Sequence, residues 1–186
     1  MGVIVSLIWN LQSGICNPSW RKNAPTWYDG KMLNRDVVGR PYGPQTFEVD
    51  RSKIRELAMA LGDGNPLYYS EEESAKTAWG GMIAPPTFAT LLNFWVPQDS
   101  LYADMGVDYR YLLHGEQEYE YEQPIRPGMV LTVSRVCTKI YTKPGKSGVM
   151  EFAVIESDIR DTRDNARVVL SRSTIVLRWP AEASHA

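Results

Sequence analysis

The chain has 186 residues, of which 44% are hydrophobic and 23% charged, with a formal net charge of −2. That length suits one domain with a real hydrophobic core, and the charge leaves no basic footprint for nucleic acid. Cys16 and Cys137 are the two cysteines. They stand far apart and outside any Cys-x-x-Cys or Cys/His spacing, so they read as free thiols of a reducing compartment, not as a disulfide framework or a zinc site.

Val3 to Trp9 is apolar but too short to span a membrane. No Lys or Arg precedes it, as the first region of a secretory leader requires. The expectation is a cytoplasmic protein with no membrane partner. Polarity and periodicity divide the chain into an N-terminal arm over 1–35, a domain over 36–180 and a tail over 181–186. The first 30 or so residues fit either an accessory arm or sequence upstream of a start at Met32.

Thr46–Val49 alternates as a short strand. Asp50 is placed to cap a helix over about Arg51–Leu61, in which Ile54, Leu57, Ala58 and Leu61 fall at i, i+3, i+4 and i+7. Gly62 stops it, and turn formers run to Tyr69. Ser70 with Glu73 forms a capping box for a second helix over about Glu71–Ala78, broken by Trp79-Gly80-Gly81. Pro85-Pro86 suits the first turn of a third helix, a strongly apolar one over Thr87–Trp95 that Pro97 ends. From Leu112 the period changes to two. Strands are predicted at Leu112–Gln123, Met129–Thr142, Val149–Arg160 and Ala166–Trp179, with turns at Pro127-Gly128, Lys143–Lys146 and Asp161–Asn165. Long strands joined by short turns pair antiparallel. Helices followed by strands make the fold α+β, with the apolar helix covering one face of a curled sheet.

The segment that carries chemistry is Gly62-Asp63-Gly64-Asn65-Pro66-Leu67-Tyr68, continued by Ile83-Ala84-Pro85-Pro86-Thr87-Phe88. As residue types these are also ordinary loop formers, with Asp63 and Asn65 placed to bond local backbone. The loop resembles the G-D-x-N-P-[LIV]-H loop of the MaoC-like (R)-specific enoyl thioester hydratases and 3-hydroxyacyl dehydratases, matching at Gly62, Asp63, Asn65, Pro66 and Leu67. Ile83–Thr87 resembles the family's I-A-H-G-M segment. The likeness extends from about Val38 to Trp179, through Leu113–Glu118 and Gln123–Gly128, and points to the N-terminal-domain type of that family.

The resemblance implies a single hot-dog domain, a curled antiparallel sheet of about five strands around a long central helix. It implies reversible water addition to 2-enoyl groups on CoA or a carrier protein. CoA or phosphopantetheine enters only as part of the substrate, and no metal or redox cofactor is implied. Substrate contacts are expected at Gly81, Ile83, Ala84, Pro86 and Thr87. Asp63 is expected to orient water or polar substrate atoms, Asn65 to fix the loop or thioester, and Tyr68 to donate a hydrogen bond.

Two positions depart from the motif. Tyr68 stands where the family's histidine stands, and a phenol titrating near ~10 is a poor base at neutral pH. Pro86 stands where a glycine N–H faces the thioester oxygen, and proline has no N–H. Three readings follow. The chain pairs with a second hot-dog subunit that carries the Asp/His pair, or it is a homo-oligomeric hydratase using another base, or it binds acyl groups without catalysis. A homodimer or a heterodimer is expected in each case. His114 is the candidate base within the strands. Strict alternation places it on one face with Glu116 and Glu118, where a carboxylate raises an imidazole pKa; a structural histidine fits as well. The Glu116, Glu118, Glu120, Glu122 series reads as a solvated strand face. Gly80-Gly81 with Lys76 lacks the context of a phosphate loop, and Lys143–Lys146 reads as a basic hairpin turn. The aromatics Phe88, Phe94, Trp95, Tyr102 and Tyr109 read as core, or in part as the lining of an acyl tunnel.

Overall fold

The computed structural model describes residues 3–8, 32–95, 100–145 and 148–180. Among them, six strands form one antiparallel sheet: β1 (Val3–Ile8), β2 (Pro41–Glu48), β3 (Leu112–Tyr121), β4 (Val130–Gly145), β5 (Gly148–Asp161) and β6 (Arg167–Pro180), in the order β1-β3-β6-β5-β4-β2. The four long strands lie where the alternation predicts them. β1 falls in the segment read as an arm. It lines the outer edge of β3 in antiparallel register from Val3↔Tyr121 to Ile8↔Glu116.

Among the described residues four α-helices accompany the sheet: α1 (Arg51–Ala60), α2 (Glu71–Ala75), α3 (Ala89–Trp95) and α4 (Ser100–Met105). Asp50 caps α1, its carboxylate accepting from the Ser52 N–H at 2.6 Å. Ile54 and Ala58 are buried, but Leu61, predicted on the same face, is 53% exposed. It follows the last helical residue, and Gly62 then turns the chain with φ +67°. Ser70 caps α2, accepting from the Glu73 N–H at 3.2 Å. This helix ends at Ala75 instead of running to Ala78.

The central helix is seven residues long and does not begin at Thr87. Two prolines precede it, and Phe88 donates its N–H to the Pro85 carbonyl in a turn instead. The expected long central helix is therefore a short one led in by a turn. Periodicity gives no warning of α4, six residues long, though its Leu101 and Met105 are completely buried.

The concave face of the sheet holds two apolar clusters. One gathers Phe88, Ala89 and Leu92 of the third-helix segment over Tyr119, Leu131 and Ile159. The other gathers Leu33, Leu101, Met105 and Cys137 with Ile155, Leu177 and Trp179. Each fully buried Leu, Ile or Phe contributes about 1.5–3 kcal/mol. Cys137 is a buried free thiol; Cys16 lies outside the described residues. The convex face is charged. Arg172 meets Glu118, Glu120 and Glu156 at 3.4, 3.6 and 3.0 Å, and Arg167 meets Glu122 at 3.6 Å, so three of the four glutamates in the series face arginines. No helix among the described residues is long and apolar enough to cross a membrane.

Candidate active site and interior cavity

The loop after α1 is built by its own polar side chains. The Asp63 carboxylate accepts from the Asn65 N–H at 3.0 Å, and Asn65 Oδ1 accepts from the Leu67 N–H at 3.1 Å, capping a single helical turn at Pro66–Tyr68. The Tyr69 hydroxyl donates to the Asp63 carbonyl at 2.9 Å. Both motif residues thus do the local backbone work that their types allow. Asp63 is half-buried and keeps its second carboxylate oxygen uncommitted among the described residues; Asn65 is exposed.

Tyr68 is only 6% exposed and packs in the first apolar cluster. Burial first, and the Asp63 charge second, push its hydroxyl pKa above the ordinary phenol value. At neutral pH it stays protonated, a donor and not a base.

Ile83 and Ala84 are buried in the same cluster, and the Ala84 N–H donates to the Ile125 carbonyl at 2.8 Å. Gly81 lies beside Arg126, whose guanidinium donates to the Trp79 carbonyl at 2.6 Å. Pro86 is exposed, and its carbonyl accepts from the Tyr121 hydroxyl at 2.6 Å. The Thr87 hydroxyl is buried and has no hydrogen-bond partner among the described residues.

His114 is not where alternation puts it. The pairing steps from His114↔Ile175 to Glu116↔Thr174, so Gly115 is an extra residue in β3. The bulge reverses the phase of the strand. His114 joins Ile175 on the concave face, while Glu116 and Glu118 lie on the convex one. The neighbouring carboxylate expected to raise its pKa is therefore absent from its face. Desolvation lowers the pKa instead, leaving a neutral imidazole at pH 7. Gly115 suits the bulge because a Cβ there would sit 3.0 Å from the Thr174 carbonyl oxygen and 3.0 Å from Val176 Cγ2. Gly115→Ala is expected to destabilise by about 1–3 kcal/mol. Thermal melting checks this, and an unchanged Tm would rule it out.

His114 opens onto a cavity of about 400 Å³ beside the second apolar cluster, which contributes Ile155 and Ile175 to its lining. Its sheet side includes His114, Gln117, Arg135, Ser157, Ser173 and Ile175, and its other wall includes Thr90, Tyr102 and Tyr109. The volume lies in the range of small-molecule sites, about 300–1,000 Å³. The polar residues form a row across four strands, with Gln117 opposite Ser173, and Ser171 opposite Ser157, itself opposite Arg135. Gln117, Ser171, Ser157 and Arg135 are all buried. Gln117 donates to Ser171 Oγ at 2.8 Å, and Arg135 to the Leu92 carbonyl at 3.4 Å.

The motif did not lead to this row, yet the strands carry its signal. Arg135 interrupts the inward series Leu131, Val133, Cys137, and Ser157 sits between Ile155 and Ile159. Of the predicted aromatics, Phe88 is core while Tyr102 and Tyr109 line the cavity. The side chains of Phe94 and Trp95 lie outside the described ones. The motif loop and the cavity are separate, since no residue of 62–87 lines the latter.

An antiparallel curled sheet with a short helix on its concave face, joined to a Gly-Asp-x-Asn-Pro loop, defines a hot-dog protein of the MaoC-like dehydratase type. Residues 36–170 match the family model of the FAS1-like dehydratase domain region, and the chain belongs to that family. A UPF0336 protein of Thermobifida fusca is 34% identical over 151 residues, covering 80% of this chain and 96% of that one. Among solved structures, the C-terminally truncated HadBC (3R-hydroxyacyl-ACP dehydratase) complex from Mycobacterium tuberculosis superposes with TM-score 0.65 at 23% identity, over 76% of this chain and 97% of that one. A MaoC-like dehydratase superposes with TM-score 0.67 at 25% identity, over 76% of this chain and 42% of that one.

Proposed function

We propose that this chain is the acyl-holding subunit of an acyl-thioester hydratase/dehydratase, and that a second hot-dog subunit supplies the Asp/His pair that moves protons. The observation that carries this reading is Tyr68, a buried phenol with a raised pKa at the position where the family places its base. Water addition to a 2-enoyl thioester needs a base on the water, a proton for the α-carbon, and donors on the thioester oxygen as enolate charge develops. Asp63 supplies one carboxylate. Pro86 supplies no N–H, while the unspent Thr87 hydroxyl supplies one donor in the same segment. The reaction draws on no metal or redox cofactor, and CoA or phosphopantetheine arrives with the substrate. The similarity in fold to HadBC, which is a 3R-hydroxyacyl-ACP dehydratase complex, supports a divided assembly.

Hydration of crotonyl-CoA and of a longer 2-enoyl-CoA, followed by loss of the conjugated thioester absorbance, tests the reading. The chain alone is expected to give no turnover above a heat-killed control. Addition of a hot-dog partner bearing Asp and His is expected to give turnover that Asp63→Asn reduces. Turnover by the isolated chain would overturn the divided arrangement. It would favour a homo-oligomer using His114, whose neutral imidazole faces the cavity and can accept a proton; His114→Ala would then abolish that activity. Thioester binding without turnover in any pairing would leave a non-catalytic acyl-binding subunit.

A further inference from the structure

We infer that this half-open cavity receives an acyl group bearing an oxygen function along its chain, a hydroxyl, keto or carboxyl group remote from the thioester, in preference to a plain hydrocarbon tail. The inference rests on the proposed acyl-holding role and narrows its substrate. On the concave face every long strand is apolar above and below the cavity, as in Leu131 and Val133 before Arg135, or Ile155 and Ile159 around Ser157. Between them the face turns polar across four adjacent strands at Gln117, Ser173, Ser157 and Arg135.

Ser157 is 4% exposed and lines the cavity, and among the described residues its hydroxyl has no hydrogen-bond partner. The Ser173 hydroxyl has none there either. Gln117 commits its amide N–H₂ to Ser171 and to the Arg172 carbonyl, which leaves its carbonyl oxygen uncommitted among the described residues.

A hydrocarbon chain laid across this row would strip its hydroxyls of water and return nothing, which opposes binding. An oxygen in the ligand accepts from Ser157 or Ser173, and a hydroxyl also donates to Gln117. His114 stands in the same wall as a neutral donor and acceptor. The apolar residues on either side still take the methylene segments, so the cavity selects a mixed ligand and not a small polar one.

The experiment is calorimetric titration of the full chain with octanoyl-CoA and decanoyl-CoA, and with their ω-hydroxy and ω-carboxy counterparts. At least one oxygenated thioester is expected to bind about tenfold tighter than the plain acyl-CoA of equal length. Ser157→Ala with Ser173→Ala is expected to erase that difference from both sides, weakening the oxygenated thioester and tightening the plain one, whose tail no longer buries unpaired hydroxyls; neither change adds bulk, and circular dichroism verifies the fold. Equal or weaker binding of every oxygenated member overturns the inference, as does a preference that survives in the double variant, and both leave the acyl-holding role standing. Absence of binding by all the thioesters removes that role and the inference with it.

Discussion

Glu151→Ala is expected to cost about 3–5 kcal/mol of folding stability, the range for leaving buried partners of a charge unpaired. Glu151 is completely buried in the second apolar cluster's wall, between β5 and the segment before β2. One carboxylate oxygen, Oε2, accepts from the Leu33 N–H at 2.7 Å and from the Trp179 indole N–H at 2.9 Å. The other lies 3.6 Å from the Arg35 guanidinium. Alanine would strand two buried donors and open a void beside Trp179. Urea denaturation measures the loss, with a midpoint shift on the order of 2 M for a slope of about 1–3 kcal/mol per molar. Glu151→Gln should be far milder. Its carbonyl can take the place of Oε2 and keep both donors satisfied, giving up only the ion pair with a half-exposed arginine. If alanine and glutamine cost the same, the donors are not what the carboxylate holds.

Restoring the motif makes the second prediction. Tyr68→His combined with Pro86→Gly should bring crotonyl-CoA hydration by the isolated chain to about 100-fold or more above the heat-killed control, the lower end of what a positioned acid–base group contributes. Each change answers a separate deficit: the imidazole titrates near neutrality where the phenol does not, and the glycine returns a backbone N–H to the segment before α3. Asp63→Asn in that background should remove the gain. Histidine is smaller than the tyrosine it replaces in a packed site, so some stability will be lost, and a thermal melt must accompany the assay. A folded double variant with no added turnover would mean that the missing base is not what silences the loop.

The fold was legible because the long strands keep an inward alternation over most of their length, broken only locally by register shifts such as that between His114 and Glu116. β5 and β6 could be placed to within one residue, and β4 to within three. The caps at Asp50 and Ser70 were equally readable, since the residue types that satisfy free helix amides are few. What escaped detection had physical reasons. β1 pairs through its backbone, and a short segment of five apolar residues and Ser6 looks the same paired or unpaired. The helix α4 is too short for a period to show. The bulge at Gly115 is a single inserted residue, yet it moved His114 from the glutamate face to the cavity and inverted the direction expected for its pKa. The loop residues were found by resemblance, and the structure shows them doing backbone work as well. The polar row was visible as out-of-phase residues, but only the strand register brings Gln117, Ser157 and Arg135 to one level of the sheet.

The strand β1 has a kinetic consequence for assembly. Its pairing between Glu116 and Tyr121 uses the backbone donors and acceptors along the outer edge of β3. Any strand from another chain that extends the sheet on that side competes for the same groups, so β1 must first peel away. Sheet extension there becomes a two-step process. With rising partner concentration its rate levels off at the peeling rate of Val3–Ile8, whereas a chain lacking these residues associates in proportion to concentration throughout.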